Sequence, residues 1–519
     1  MTNANRESAW GRAGRGAGGR SSYERLEEEW CRLRERYLPL AHARSIWRFS
    51  RESDPSDAEQ GWKLHIPATV LTAGRVLEAV GPALGRLGVL FKAPATLFEL
   101  NKINSGLHYG YSQVGKFITV YPRTEEEAVR LARRLHRLTR GFPAPDVPFD
   151  MRFRPDSCVH YRYGSFKILE IENPDGTRTL AMRGENGELV PDRRDSESAG
   201  PPWVSDPFAP KRPKSGGGAA ALTPLKTRFR VFAALAQRGK GGVYKAVDIG
   251  SSPPRLCVVK EGRRHGEVWW DGRDGHSRVR HEWRVLSELR AAGVSVPRPY
   301  KSFRAGKNFY VAVEYVEGMD FNDWLTRRRR RLPVARALRY GLRLAELISK
   351  IHAAGWVWRD CKPRNLILTP GGELRPLDFE GACRVNRPDP SPWSTRSYAP
   401  PECTREFKGE SRLPEDLYAL GAVLYLLLSG VVPGAEARFP LERLRRNVPA
   451  YACELVEELL CEDPARRPAA SEVGRRLAAA LSPRASGGGL KGSSRCGARG
   501  HGSAGLSGGR RRTARSSET

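Results

Sequence analysis

No stretch of this sequence is apolar for long enough to cross a bilayer. The longest uncharged run, Leu417 to Val432, falls short of the ~18 residues that a membrane-spanning helix needs. It also holds Gly421, Ser429 and Gly430, so it reads as a buried core helix. The N-terminus has no apolar segment, only polar and then Gly/Arg-rich sequence, so no secretory signal is expected. Cysteines number 9, an odd count, and none form a Cys-x-x-Cys pair. This usage argues against a disulfide framework or a zinc site and fits a reducing cytoplasm. Acidic residues are the other shortage: 58 Asp and Glu face 88 Lys and Arg, a formal charge of +30. A charge that large favours phosphate-bearing partners without naming one.

What is present excludes wholesale disorder. Apolar residues make up 39%, with 17 Phe, 16 Tyr and 12 Trp among 519 residues. The length suits roughly two to four domains. Residues 1–22 read as a disordered N-terminus, 23–186 as an α+β domain, and 187–225 as a Pro/Gly/Ser/Ala-rich linker. In that linker PPWV and DPF are candidates for docking on a neighbour. Residues 226–482 read as a second domain, strands first and helices later, and 483–519 as a disordered basic tail. In the α+β domain, Tyr23 to Leu38 reads as an amphipathic helix and WKLHIPA, VLFKA and GKFITVYP as strands. Ala73 to Leu87 reads as a helix with a break at Gly81-Pro82, and CVHYRYGSFKILEIEN as a hairpin.

The second domain carries an ordered set of motifs. Residues 359–365 read Arg-Asp-Cys-Lys-Pro-Arg-Asn, and Asp378-Phe379-Glu380 follows. Phosphoryl transfer needs a carboxylate to accept the proton of the attacking hydroxyl, and Asp360 fits. Lys362 can neutralise the charge on the moving phosphoryl group. Asn365 and Asp378 offer oxygen ligands for Mg²⁺. Upstream, Lys260 follows two valines on a strand, and Glu282 lies on a helix as its expected partner. Gly239, Gly241 and Gly242 form a glycine turn expected to bring backbone amides near phosphates. By resemblance to the protein kinases, Val243 would cover the base, and Glu314 and Val316 would lie at the segment that bonds it. The same resemblance implies that Glu402 and Arg467 pair downstream and that Asp416 braces the catalytic loop.

This set resembles the protein kinases, over about half of the chain. Three departures stand out. Trp358 replaces the usual histidine, Glu380 replaces the usual glycine, and Ala236 and Arg238 stand at two usual glycines. None removes a chemical group. The resemblance implies ATP or GTP with Mg²⁺ as cofactors. Cys361, beside Asp360, reads as a small packing residue.

In the first domain Lys63 and His65 alternate on one strand and so share a face. Lys92, Lys116, Arg152, Arg154, Tyr161 and Arg162 follow in neighbouring segments. Such a face suits a phosphate-bearing substrate; a solvated basic surface is the plainer alternative. The run GWKLHIPAT, VLFKAP, GKFITVYP, VHYRYGSF, VPDRR and PPWV, followed by a kinase with DFEGA, resembles class III lanthionine synthetases. The resemblance covers about residues 25–480. It implies an α+β phosphoserine/phosphothreonine lyase domain before a two-lobed kinase domain. It also implies a peptide substrate that is phosphorylated and then loses phosphate to give dehydroamino acids. By that resemblance Lys92 takes the α-proton and His65 protonates the leaving oxygen. Lys63, Arg152, Arg162 and Lys116 hold phosphate or stabilise the enolate.

The family's zinc-dependent cyclase is not expected within these 519 residues, because Cys496 and His501 are too isolated to form its site. A separate cyclase is therefore a candidate partner, and the tail reads as natural disorder or a cyclase remnant. Two other readings stay open: a regulatory Ser/Thr kinase whose first domain only recruits substrate, and a catalytically dead scaffold. No nucleic-acid partner is expected, since the Arg327 to Arg331 run lacks aromatic interleaving.

Overall fold

A computed structural model describes residues 22–192, 200–208, 224–404, 411–434 and 440–482. The expected disordered N-terminus (save Ser22), the basic tail and much of the expected linker lie outside these residues.

The first domain is an antiparallel sheet backed by helices. After helix α1 (Ser22–Tyr37) come β1 (Leu40–Ala41), β2 (Trp47–Phe49) and β3 (Gln60–Ile66). Helix α2 (Ala73–Arg86), β4 (Leu90–Pro94), α3 (Leu97–Ser105) and β5 (Ile118–Tyr121) follow. Then come α4 (Glu125–Thr139), β6 (Met151–Arg152) and β7 (His160–Ser165). The strand order is β1-β2-β4-β5-β3-β7-β6. Thr124 caps α4 by accepting from the Glu127 amide at 3.2 Å, and acidic residues fill its first turn. The apolar stripes of α2 and α4 (Val76, Val80, Leu131, Leu135) pack on Leu64, Ile66, Phe91 and Val120. Period-2 alternation then turns Lys63, His65, Lys92 and Thr119 to the opposite face.

Three expectations are corrected here. Helix α2 runs through Pro82 without the expected break. The packing of its buried residues outweighs one missing backbone donor. Gly81 is needed for close packing, since a Cβ there would lie 2.8 Å from the Tyr37 ring. The expected hairpin over residues 158–173 is split between two sheets. Strand β7 joins the large sheet, whereas β8 (Glu170–Glu172) pairs with β9 (Arg178–Arg183) around the Asp175-Gly176 turn. Finally, the expected linker contains ordered parts of the domain. Strand β10 (Leu189–Pro191) pairs with β9, and Phe208 packs on Trp62 and Tyr161.

The second domain has two lobes. A five-stranded sheet, ordered β11-β12-β13-β15-β14, comprises β11 (Phe229–Arg238), β12 (Gly241–Asp248), β13 (Arg255–Gly262), β14 (Pro299–Ala305) and β15 (Asn308–Glu314). Helix α5 (Gly275–Ala291) packs on it, with Asp274 and Ser277 forming a capping box. The second lobe is helical. Helix α6 (Val334–Ala353) and α7 (Leu413–Ser429), the expected apolar run among them, share one core with the later helices.

Candidate active sites

The sheet register of the first domain builds a row of chemistry-bearing residues. Phe49 faces Lys92, Lys92 faces Thr119, Thr119 faces His65, His65 faces His160, and His160 faces Arg152. Directly paired residues in a sheet share a face, so six strands place one residue each along a single line. Lys63 and Arg162 form the neighbouring pair on the same face. Arg154, singled out in the sequence, lies over the Phe153 ring rather than in this row.

The electrostatics of the row follow from burial and like charge. Lys63 is pulled down to about 7, first by burial and then by Arg162 and Lys92. Burial also lowers Lys92 to about 8. The Lys92 ammonium sits 4.4 Å from the Trp47 ring centroid, an apolar seat with a favourable ring face. Burial drives His65 down to about 3, against the pull of Asp150. His65 Nδ1 lies 2.5 Å from Asp150 Oδ2, and Lys116 lies 3.4 Å from the other carboxylate oxygen. The Asp150 carboxyl is held below its usual range: burial opposes ionisation, but His65 and Lys116 outweigh it. Nδ1 therefore carries the proton and Nε2 is the second, basic nitrogen.

Asp150 and Thr119 were not anticipated from sequence. Asp150 lies in a loop 85 residues from His65 in the chain, and no local pattern marks it. Arg162 pairs with Asp192, which lies past the expected domain boundary. Arg152 donates to the Ser157 carbonyl at 2.6 Å and pairs with Asp146.

In the second domain the expected loops converge. Lys260 Nζ lies 2.6 Å from Glu282. Burial works against the Lys260 charge, but Glu282 and Asp378 more than offset it and keep the lysine protonated. Asp360 accepts from Lys362 at 2.7 Å and from the Asn365 amide at 2.8 Å. Thr395, also not anticipated, bonds both Lys362 at 2.7 Å and Asp360 at 3.0 Å. Asp416 accepts the backbone amides of Trp358 at 2.7 Å and Arg359 at 2.6 Å, bracing the loop. Arg467 and Glu402 form a two-pronged ion pair, one prong 2.9 Å long.

The departures have structural substitutes. Trp358 donates its indole N–H to the Asp378 carbonyl, holding the two loops together. Glu380 pairs with Lys240 of the glycine turn. Glu314 and Val316 lie at the junction between the lobes, and the Glu314 amide is bonded to the Arg298 carbonyl at 2.8 Å. Val243 sits on β12, opposite Lys260 of β13. Cys361 is buried, and burial raises its thiol far above the usual value, as suits a packing residue.

The role expected of Gly239 is corrected. Its amide donates to the Ser105 carbonyl of the first domain at 3.0 Å, so it is not presented to a phosphate. A Cβ at Gly239 would fall 1.7 Å from the Asn104 carbonyl oxygen, and one at Gly241 would fall 1.7 Å from that of Glu261. These two glycines answer to close backbone approach. Gly242 is buried beside them on β12.

The residues fit Mg²⁺ and a nucleotide. Asp378 is a half-buried carboxyl held below its usual range: desolvation opposes its ionisation, but Lys240, Lys260 and Lys362 prevail. Among the described residues its hydrogen bond is from the Glu380 amide at 3.4 Å, which leaves acceptor capacity for a cation. Asn365 and Asp378 are only two protein ligands, as suits an ion completed by phosphates and water.

A two-lobed fold with a paired strand lysine, a braced catalytic loop and a metal-loop carboxylate defines a protein kinase domain. Residues 234–476 match the family described as "Protein kinase domain", and residues 39–218 match "RamC, N-terminal domain". The chain thus joins a RamC N-terminal domain to a protein kinase domain. It is 31% identical over 356 residues to the protein named "Probable SapB synthase" of Streptomyces coelicolor, covering 66% of this chain and 38% of that one. It is 30% identical over 285 residues to the serine/threonine-protein kinase pkn2 of Myxococcus xanthus, covering 50% and 33%. It is 29% identical over 266 residues to the serine/threonine-protein kinase PknA of Mycobacterium tuberculosis, covering 47% and 58%. The chain therefore spans well under two thirds of each of these relatives. The likeness to class III lanthionine synthetases read from the motifs holds in both domains. The kinase family uses ATP and Mg²⁺, and nothing supports the GTP alternative. Among the described residues no helix is long and apolar enough to cross a membrane.

Proposed function

We propose that this chain phosphorylates Ser or Thr in a ribosomally made precursor peptide and then eliminates the phosphate. The observation that carries the reading is a partly buried, cation-lined row with two lysines near neutrality, in one chain with a complete phosphoryl-transfer set. Mg²⁺ and ATP supply the phosphoryl group and neutralise its charge when bound. Asp360 orients the peptide hydroxyl and accepts its proton. Lys260, fixed by Glu282, and Lys362 stabilise the phosphates.

In the first domain Lys92 removes the Cα proton of the phosphorylated residue. The C–H electron pair becomes the Cα–Cβ double bond, the Cβ–O bond breaks, and phosphate leaves. Lys63, Arg162, Arg152 and Lys116 hold the dianion and the developing enolate. His65 takes up a proton from solvent at Nε2 as the phosphate arrives and donates it to the leaving oxygen. The arriving dianion supplies the negative charge that lifts its pKa from about 3 in the free site. A cytoplasmic setting and a separate cyclase acting on the dehydrated product belong to the same reading.

A regulatory kinase with a recruiting first domain has no need of lysines held near neutrality. Incubation with ATP, Mg²⁺ and candidate precursor peptides separates the readings. Mass spectrometry is expected to show phosphorylated species and then loss of one water per modified residue. Phosphorylation that never proceeds to dehydration overturns the lyase half, and no phosphorylation of any peptide favours the scaffold. The Lys92→Ala protein is expected to accumulate phosphopeptide.

A further inference from the structure

We propose that Lys240, the residue at the tip of the glycine turn, binds the terminal phosphate of the nucleotide by its side chain, replacing the backbone amides that such turns ordinarily offer. The inference rests on the kinase reading above and names a further binding residue for it.

Strand β11 ends at Arg238 and β12 begins at Gly241, with Arg238 opposite Gly241, so the turn is two residues, Gly239 and Lys240. Its backbone is committed elsewhere. The Gly239 amide goes to Ser105, and the Lys240 carbonyl accepts from the Arg263 amide at 2.8 Å. The Lys240 amide donates to the Glu267 carboxylate. The flanking backbone is equally crowded, since a Cβ at Gly275 would lie 1.8 Å from the Lys240 carbonyl oxygen. A turn pinned on these sides cannot fold its amides around a phosphate.

The Lys240 side chain is the exception. It crosses the cleft to Glu380, two residues past the metal-loop Asp378. Lys240, Lys260 and Lys362 all act on the Asp378 carboxylate. Lys240 reaches this carboxylate from the sheet lobe and Lys362 from the catalytic loop, so phosphates held beside Asp378 would lie within reach of the Lys240 ammonium. Without nucleotide, Glu380 holds the ammonium in the cleft and offsets its desolvation cost. A polyphosphate bearing more charge displaces Glu380 as its partner. Two of the three departures from the kinase pattern then have one explanation. The turn has lost conventional glycines because its amides are not used, and Glu380 stands in place of glycine to position Lys240.

The test is calorimetric binding of ATP, ADP and AMP with Mg²⁺ to the full chain, read without turnover. Lys240→Met is expected to weaken ATP at least about tenfold and leave AMP unchanged. Lys240→Arg is expected to restore most of the ATP affinity. Glu380→Gln frees the ammonium and is expected to tighten ATP or leave it unchanged. Equal weakening of ATP and AMP in Lys240→Met overturns the proposal. So does an ATP loss in Glu380→Gln as large as in Lys240→Met, which would make the pair a scaffold only. If Lys240→Met does not fold, Glu380→Gln decides the matter: ATP binding that is tightened or unchanged supports the proposal, and weakened ATP binding overturns it. A wild-type protein that binds none of the three nucleotides overturns the kinase reading, and this inference falls with it.

Discussion

Trp358 donates its indole N–H to the carbonyl of Asp378 at 2.9 Å, while its ring stacks on Phe379 with centroids 5.5 Å apart. One side chain thus ties the catalytic loop to the metal loop by both a polar and an apolar contact. Trp358→Phe keeps the stacking and leaves a half-buried carbonyl without its donor, at a cost of about 1 kcal/mol. Lower thermal stability and a reduced phosphorylation rate are expected together. An unchanged rate would mean that the bond does not position Asp378.

The His65–Asp150 pair makes a separate prediction. Asp150→Asn removes the carboxylate that keeps the proton on His65 Nδ1. Elimination from a synthetic phosphopeptide is expected to slow by about 10²–10⁴-fold, the usual scale for a misplaced acid–base group. Phosphorylation of an unmodified peptide by the same protein is expected to be unaffected.

The elimination step also carries a pH signature. Lys92 must be neutral to accept a proton, and its pKa is lowered to about 8 from the ordinary 10.5. Below pH 8 the lysine is mostly protonated, so the acid limb of the elimination rate is expected to rise with pH toward about 8. The linkage to stability has the same sign. Between pH 8 and 10.5 the unfolded chain binds the extra proton, so stability gains from this group as pH rises through that window. A flat elimination profile would remove Lys92 as the base.

Arg467 offers a purely structural test. Its side chain is fully buried, paired with Glu402 and bonded to the carbonyls of Cys461 and Pro414. Arg467→Ala strands those partners and is expected to cost about 3–5 kcal/mol in denaturant unfolding. Glu402→Gln keeps a hydrogen-bonding partner for the guanidinium and is expected to cost less.

The kinase site was largely legible in the sequence because its groups lie on short contiguous loops. Asp360, Lys362 and Asn365 span six residues, and Asp378 follows on the next loop. Lys63 and His65 were legible for a similar reason, since alternation alone puts them on one face. Asp150, Thr119, Asp192 and Thr395 were not. Each reaches its partner through strand register or a loop path, and neither leaves a local pattern. The splitting of β7 from β8 was hidden too. Both strands are short, and β8 takes β9 as its partner across the Asp175-Gly176 turn, beyond the segment read as a hairpin. Gly239 shows the converse limit: the residue was singled out correctly, but its neighbour is a carbonyl of the other domain.

The one-residue-per-strand row bears on how this site can change over generations. A single insertion or deletion within β3, β4, β5 or β7 would flip the residues beyond it to the helix-covered side, driving cations into the hydrocarbon layer and apolar residues out. Length variation is therefore barred from these strands and confined to loops that carry none of the row's partners. New substrate preferences would have to arise by exchange of side chains at fixed positions.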